Sequence, residues 1–224
     1  MMNTKTFLEK IFKNEKIIFR RIKGKDAKNL PSSYYDEVKD ELKEYNKQGY
    51  NIYFVVNSGG TKQDEINKIN AFYIDCDCDK DDNKKYCDLD IVKQYKQRVL
   101  QRVQDFGLVP SFIVDTRNGY HIYWLVDNAK VEQFEEVQNK LIYFFGSDER
   151  VNTPERIMRV PNFYWTKDID NQYLCTVYQY NNIRYNADEF ITHLNSKVPC
   201  YYRFSLSKIN RYLLSTDYRN CCRL

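Results

Sequence analysis

The sequence predicts an α+β domain, and three stretches carry that expectation. Ala71 to Lys80 (AFYIDCDCDK) runs from apolar residues into Asp75, Asp77 and Asp79, and reads as a buried strand ending in alternate acids. Ile91, Tyr95, Val99, Val103 and Phe106 then recur at helical spacing, before a second strand at Ser111 to Asp115 (SFIVD). Strand, helix, strand is one right-handed βαβ unit, which places both strands in a common sheet. The third stretch follows at once. Asn118-Gly119 lies between β-prone runs, the strongest short signal for a hairpin, because a type I′ turn needs positive φ at both central positions.

The bulk numbers narrow the class. At 224 residues the chain holds one good core, or one domain with a small appendage. With 42% hydrophobic and 29% charged residues it is a globular chain and not a disordered one. No run of 18 apolar residues occurs and the N-terminus lacks an apolar leader, so a cytoplasmic protein with no membrane partner is expected. Seven cysteines without regular spacing read as reduced thiols. A zinc site from His193, Cys200, Cys221 and Cys222 lacks any CxxC pair, and no zinc is expected. Twenty tyrosines, thirteen phenylalanines and a net charge of +4 suit nucleic acid, where bases stack on rings and phosphates meet cations. A Tyr-rich codon bias would leave the same composition.

Taken in order, residues 1–50 form a basic helical or α/β module. Phe7, Leu8, Ile11 and Phe12 mark a helix, Ile17 to Ile22 a strand, and Ser33 with Asp36 a capping-box-like start to a helix that Gly49 stops. Residues 51–198 form the core, opening with a strand at Asn51 to Asn57 and a Ser-Gly-Gly loop before the aspartate strand. Asp88 caps the next helix and Gly107 ends it. After the hairpin, Val131, Phe134, Val137 and Leu141 face inward from a helix that ends near Gly146. A short strand holds Arg156 to Val160, Tyr173 to Tyr180 forms another, and Ala187 to Leu194 a short helix. Residues 199–224 form a basic helical tail whose abrupt end suggests the start of a further domain.

Chemistry concentrates at three places. Asp75 and Asp77, two apart on a strand, project from the same face about 6–7 Å apart. Such a pair suits hard Mg²⁺ or Mn²⁺, which take carboxylate oxygens and keep positions open for phosphates; a strand running out into a solvated acidic turn is the ordinary alternative. Cys76 and Cys78 face away from them. In the hairpin, a two-residue loop sets Arg117 opposite Tyr120 and Thr116 opposite His121, so Thr116, His121 and Tyr123 share a face that excludes Asp115, Ile122 and Trp124. His121, one of two histidines, is placed to meet a phosphate oxygen, which would favour its protonated form. Beyond Asp148, Arg156 and Arg159 fall on opposite faces of a regular strand, so at most one faces the site from it; arginine suits multidentate phosphate binding.

These three segments, in this order, resemble the archaeo-eukaryotic primase superfamily, and specifically the small primase-polymerase (prim-pol) domains of mobile elements. Phe72 to Asp77 is similar to its first motif, apolar residues then two acids. Asp115 to Trp124 resembles the second, a strand, a polar turn and a histidine, with Arg117 where glycine is frequent. Gly146 to Lys167 resembles the third, with Ser147, Thr153 and Asn162 departing from the usual glycine, aspartate and glycine. The match spans about Asn51 to Tyr180. The resemblance implies an RRM-like catalytic sheet packed against an N-terminal α/β module. It implies Asp75, Asp77 and Asp148 as ligands of two Mg²⁺ or Mn²⁺ ions, with Asp115 rejected because it faces away from His121. His121 would touch the incoming nucleotide's phosphates beside Thr116 and Arg117, and Arg156 or Arg159 with Lys167 would hold triphosphate or template.

The implied reaction is template-directed nucleotidyl transfer from an NTP or dNTP onto a primer or first nucleotide, with single-stranded DNA as partner and a helicase or primer-binding domain as a further one. A metal-dependent nuclease on the same carboxylates and a non-catalytic RRM-like nucleic-acid binding module are the competing expectations. A paired-histidine nicking enzyme is disfavoured, since no HxH pair exists.

Overall fold

The computed structural model describes residues 2–78, 80 and 85–198. Asp79, Cys200, Cys221, Cys222 and the expected basic tail lie outside them.

The order is α1 (Thr4–Phe12), β1 (Phe19–Lys23), β2 (Asp26–Asn29), α2 (Tyr35–Lys47), β3 (Asn51–Val55), β4 (Ala71–Asp77), α3 (Leu89–Phe106), β5 (Phe112–Asp115), β6 (Gly119–Asp127) and α4 (Phe134–Phe145). There follow β7 (Ile157–Arg159), β8 (Tyr164–Trp165), β9 (Tyr173–Leu174), β10 (Thr176–Tyr180), β11 (Tyr185–Asn186) and α5 (Ala187–Lys197). Two sheets dominate. The first is antiparallel in the order β2-β1-β3-β7. It crosses residue 50, because β3 and β7 belong with the strands of the N-terminal module. In the second, β6 lies between β4 and β5, antiparallel to both, so β4 and β5 run parallel with α3 joining them. That is the common sheet expected of the strand-helix-strand unit.

Each sheet has one face committed to helices. Phe19 and Phe54 pair across β1 and β3 and meet Tyr35 of α2 and Phe7 and Phe12 of α1 edge-on or tilted. In the second sheet Phe72 and Trp124 pair across β4 and β6 and pack with Phe106, Phe134, Phe145 and Phe190 from α3, α4 and α5. Burying each such ring contributes about 1.5–3 kcal/mol relative to exposure. Phe7 also reaches Phe112 and Tyr123 on the opposite face of the second sheet, which ties the two sheets through α1.

The expected helix over α3 begins after Asp88 and ends at Gly107, which takes φ +85. Two expectations shift slightly. At the start of α2 only the Glu37 half of a capping box forms, one residue later than expected, with the Tyr34 amide donating to Glu37 Oε2 at 3.1 Å while the Ser33 hydroxyl donates to Pro31 O. The strand expected over Tyr173 to Tyr180 is two strands, β9 pairing β8 and β10 pairing β5.

The hairpin differs more. Asp115 pairs with Tyr120 and Val114 with His121, so the register lies two residues from the tight-turn expectation. Neither Asn118 nor Gly119 is among the residues with positive φ, which rules out the type I′ turn. The loop is wider because Gly119 already pairs with Asp77 of β4. A Cβ at Gly119 would stand 1.7 Å from Cys76 O, so glycine is required by close approach of two backbones and not by turn geometry. A shift of two residues preserves the faces: His121 and Tyr123 still oppose Asp115, Ile122 and Trp124.

Candidate active site

The outer edge of β4 is what assembles the acids. Its inner edge pairs with β6, which leaves one row of main-chain groups to satisfy. The Gln138 amide from α4 satisfies both groups of Tyr73, its Oε1 accepting from Tyr73 N at 3.3 Å and its Nε2 donating to Tyr73 O at 2.6 Å. Two residues on, Asp148 N donates to Asp75 O at 2.9 Å. One main-chain hydrogen bond therefore brings the acid at 148 beside the acid at 75.

On the face away from the α3–α5 layer, β4 and β6 place Asp75 directly opposite His121, with Nε2 3.6 Å from Asp75 Oδ1. Asp77 follows on the same face at the strand's end, open to solvent. Cys76 points the other way and is fully buried. Burial first, then the Asp148 charge, pushes Asp75 up to about 6. Asp77 is pushed upward by the protein around it and by Asp75, with water at its exposed side limiting how far. For Asp148 burial acts upward, but the Arg150 main-chain N and Nε both donate to Oδ1 at 2.9 Å and outweigh it, leaving the carboxyl below its usual range.

His121 is 4% exposed, and burial lowers its pKa to about 4. Desolvation outweighs the Asp77 charge and favours the neutral imidazole, the preference a phosphate oxygen against the ring would have to overcome to protonate it.

The facing surface comes from the first sheet. Arg159 pairs with Tyr53 across β7 and β3, lies 4.8 Å from the Tyr53 ring centre, and donates to Asn51 Oδ1 at 2.6 Å. Its charge favours the ionised forms of Asp75 and Asp77, as does that of Lys167. Burial and the neighbouring Arg159 lower the pKa of Lys167 itself. Arg156 lies just before β7 and is felt by Asp148, so both arginines stand in electrostatic reach of the acids.

Two hairpin residues are occupied within the loop. The buried Thr116 hydroxyl accepts from Gly119 N at 3.2 Å and its carbonyl accepts from Lys96 Nζ, rather than standing across from His121; Val114 takes that place. Arg117 donates to Cys87 O at 2.7 Å and lies over Tyr86 and Trp165. Asp115 is paired with Lys96 at 2.7 Å and hydrogen-bonded by the Tyr173 hydroxyl. His193 Nε2 meets Phe106 O at 2.6 Å. Three residues escaped the sequence: Arg150, Tyr53 and Asn51. Arg150 directly follows the acids in SDER; Tyr53 and Asn51 are marked only by alternation within NIYFVVN.

Asp75 and Asp77 offer hard oxygen donors suited to Mg²⁺ or Mn²⁺. Asp75 Oδ1 is buried without a hydrogen-bond partner among the described residues, as a ligand atom would be. As their side chains are posed, no three His, Cys, Asp or Glu residues among those described group closely enough to share an ion. Asp148 spends both oxygens on the Arg150 side chain.

Residues 42–195 match the family described as the RepB DNA-primase N-terminal domain. No curated protein matches the sequence. Among solved structures, the chain is similar to the AEP domain of the cyanophage S-2L primase-polymerase, at TM-score 0.66 and 22% identity over 85% of this chain and 96% of that one. It is also similar to the catalytic domain of the primase RepB′ in complex with initiator DNA, at TM-score 0.62 and 14% identity over 91% and 100%. A second structure of RepB′ matches at TM-score 0.60 and 14% identity, over 87% of this chain and 62% of that one.

Proposed function

This chain belongs to the family of RepB DNA-primase N-terminal domains, and on that premise we propose that it is a metal-dependent nucleotidyltransferase that makes or extends DNA primers during replication of a plasmid or phage. The observation that carries the reading is the meeting of Asp75, Asp77 and His121 on one sheet face with Arg159 and Lys167 in electrostatic reach.

Asp75 and Asp77, with Asp148 once Arg150 releases it, would hold Mg²⁺ or Mn²⁺. Such a metal would supply charge neutralisation at the triphosphate and a lowered pKa for the attacking 3′-hydroxyl. The chain's own residues do the rest. Arg159, fixed by Asn51 and the Tyr53 ring, and Lys167 attract the triphosphate of an NTP or dNTP and balance the charge that gathers as pyrophosphate leaves. His121 offers a phosphate oxygen a hydrogen bond from a buried ring. A single-stranded DNA template lies along the same basic surface in this reading; the RepB′ catalytic domain, similar in fold, is itself seen in complex with initiator DNA.

The test is incubation with a primed single-stranded template, labelled nucleotides and Mg²⁺ or Mn²⁺. Wild type extends the primer, while Asp75→Ala with Asp77→Ala, folded by circular dichroism, does not. Shortened strands would point to a nuclease, a metal-independent gel shift alone to a binding module, and full activity in the double variant would remove these acids from the reaction.

A further inference from the structure

The first sheet carries an arginine that the reaction just described does not use. Arg20 of β1 pairs with Tyr53 of β3, and Tyr53 pairs with Arg159 of β7. Directly opposed residues on neighbouring strands share a face, so Arg20, Tyr53 and Arg159 form one row across three strands. The other face of this sheet is the one packed on α1 and α2. Arg21 belongs to it, 4.8 and 4.4 Å from the rings of Tyr45 and Tyr50 and paired with Asp26 at 2.9 Å. Arg20 has no such partners among the described residues. It is half-buried, its Nε is shielded from solvent without a hydrogen-bond partner, and no acid pairs with it among the described residues.

An arginine in one cross-strand row with an aromatic and a second arginine, with no carboxylate pairing it among the described residues, is arranged for an anion from outside. Strand spacing puts Arg20 about 9–10 Å from Arg159, backbone to backbone, farther than one phosphate group reaches. We infer that Arg20 and Tyr53 form a second phosphate subsite that continues the Arg159 surface onto the N-terminal module. Its ligand is a phosphate of a polynucleotide backbone or of a nucleoside triphosphate's tail, with the guanidinium and the Tyr53 hydroxyl donating to its oxygens. The inference deepens the proposed function by adding a residue outside the three sequence motifs, and it rests on that reading for the site's orientation.

Binding without turnover tests it separately from catalysis. Anisotropy with labelled oligo(dT) over a salt series, and calorimetry with dATP and Mg²⁺, would be run on wild type, Arg20→Ala and Lys28→Ala. Lys28 sits opposite Arg21, on the other face, and removes the same charge. Arg20→Ala is expected to weaken one ligand about tenfold, and for oligo(dT) to reduce the salt slope by about 0.7. A loss with oligo(dT) identifies a strand phosphate, and a loss with dATP identifies the triphosphate tail. Lys28→Ala should stay within about twofold of wild type. Arg20→Gln, which keeps the stem, replaces Arg20→Ala if that variant melts early. If the Arg20 variant matches Lys28→Ala with both ligands, the subsite is overturned. Should wild type bind through Arg20 yet incorporate no nucleotide, the catalytic reading fails and the subsite stands.

Discussion

Replacing Asp75 by Asn asks whether the fold bears a cost for keeping a carboxylate at its centre. Asp75 lies under the Asp148 main chain and against His121, and its pKa rises from 3.8 to about 6. Between those values the folded chain holds more protons than the unfolded one, so this group's contribution to stability falls as pH rises from about 4 to about 6 and stays low above. At about 1.4 kcal/mol per pH unit, the cost at neutral pH is about 3 kcal/mol. His121 runs the other way. Lowered from 6.5 to about 4, its contribution grows as pH rises from about 4 to 6.5, and in the wild type it masks the change at Asp75. The quantity to read is therefore the difference between Asp75→Asn and wild type, from urea unfolding in EDTA at pH 4 to 7.5. It should be near zero at pH 4 and reach about 3 kcal/mol in favour of Asn by pH 7, in a protein that no longer extends primers. A difference that stays constant across this range would refute the assignment of a strained, buried carboxylate.

Two further perturbations probe the scaffold and the third acid. Gly119→Ala forces a methyl into Cys76 O, and should destabilise the fold by about 1–3 kcal/mol or more by overpacking, with loss of activity; an unchanged melting temperature would contradict the close approach of β4 and β6. Arg150→Gln frees the Asp148 oxygens, so Mn²⁺ should bind several-fold more tightly by calorimetry, and equal affinity in the two proteins would remove Asp148 from the metal site.

The elements with strong local punctuation are legible in the sequence. Gly107 and Gly146 end α3 and α4 in the left-handed conformation, as glycines after helical repeats should. Alternation placed Asp75 and Asp77 on one face and Cys76 on the other, because a strand leaves a side chain no third choice. The hairpin turn was misread for a specific reason. Asn-Gly marks a tight turn only when the loop is free to choose its register, and here pairing of Gly119 with Asp77 widened it. Arg159 joined the site through a strand whose partner lies about a hundred residues earlier, and no local pattern reports that pairing. Asn162 shows the converse: it takes φ +66 where the resembling motif has glycine, and asparagine is among the few other residues that tolerate that conformation.

The amide of Gln138 has a further effect on the life of the protein in solution. By occupying both peptide groups of Tyr73 on the border of the second sheet, and with Asp148 covering the peptide oxygen of Asp75, it denies a neighbouring copy the template it would need to add a strand there. The strand that carries the chemistry stays open to substrate and closed to its own kind.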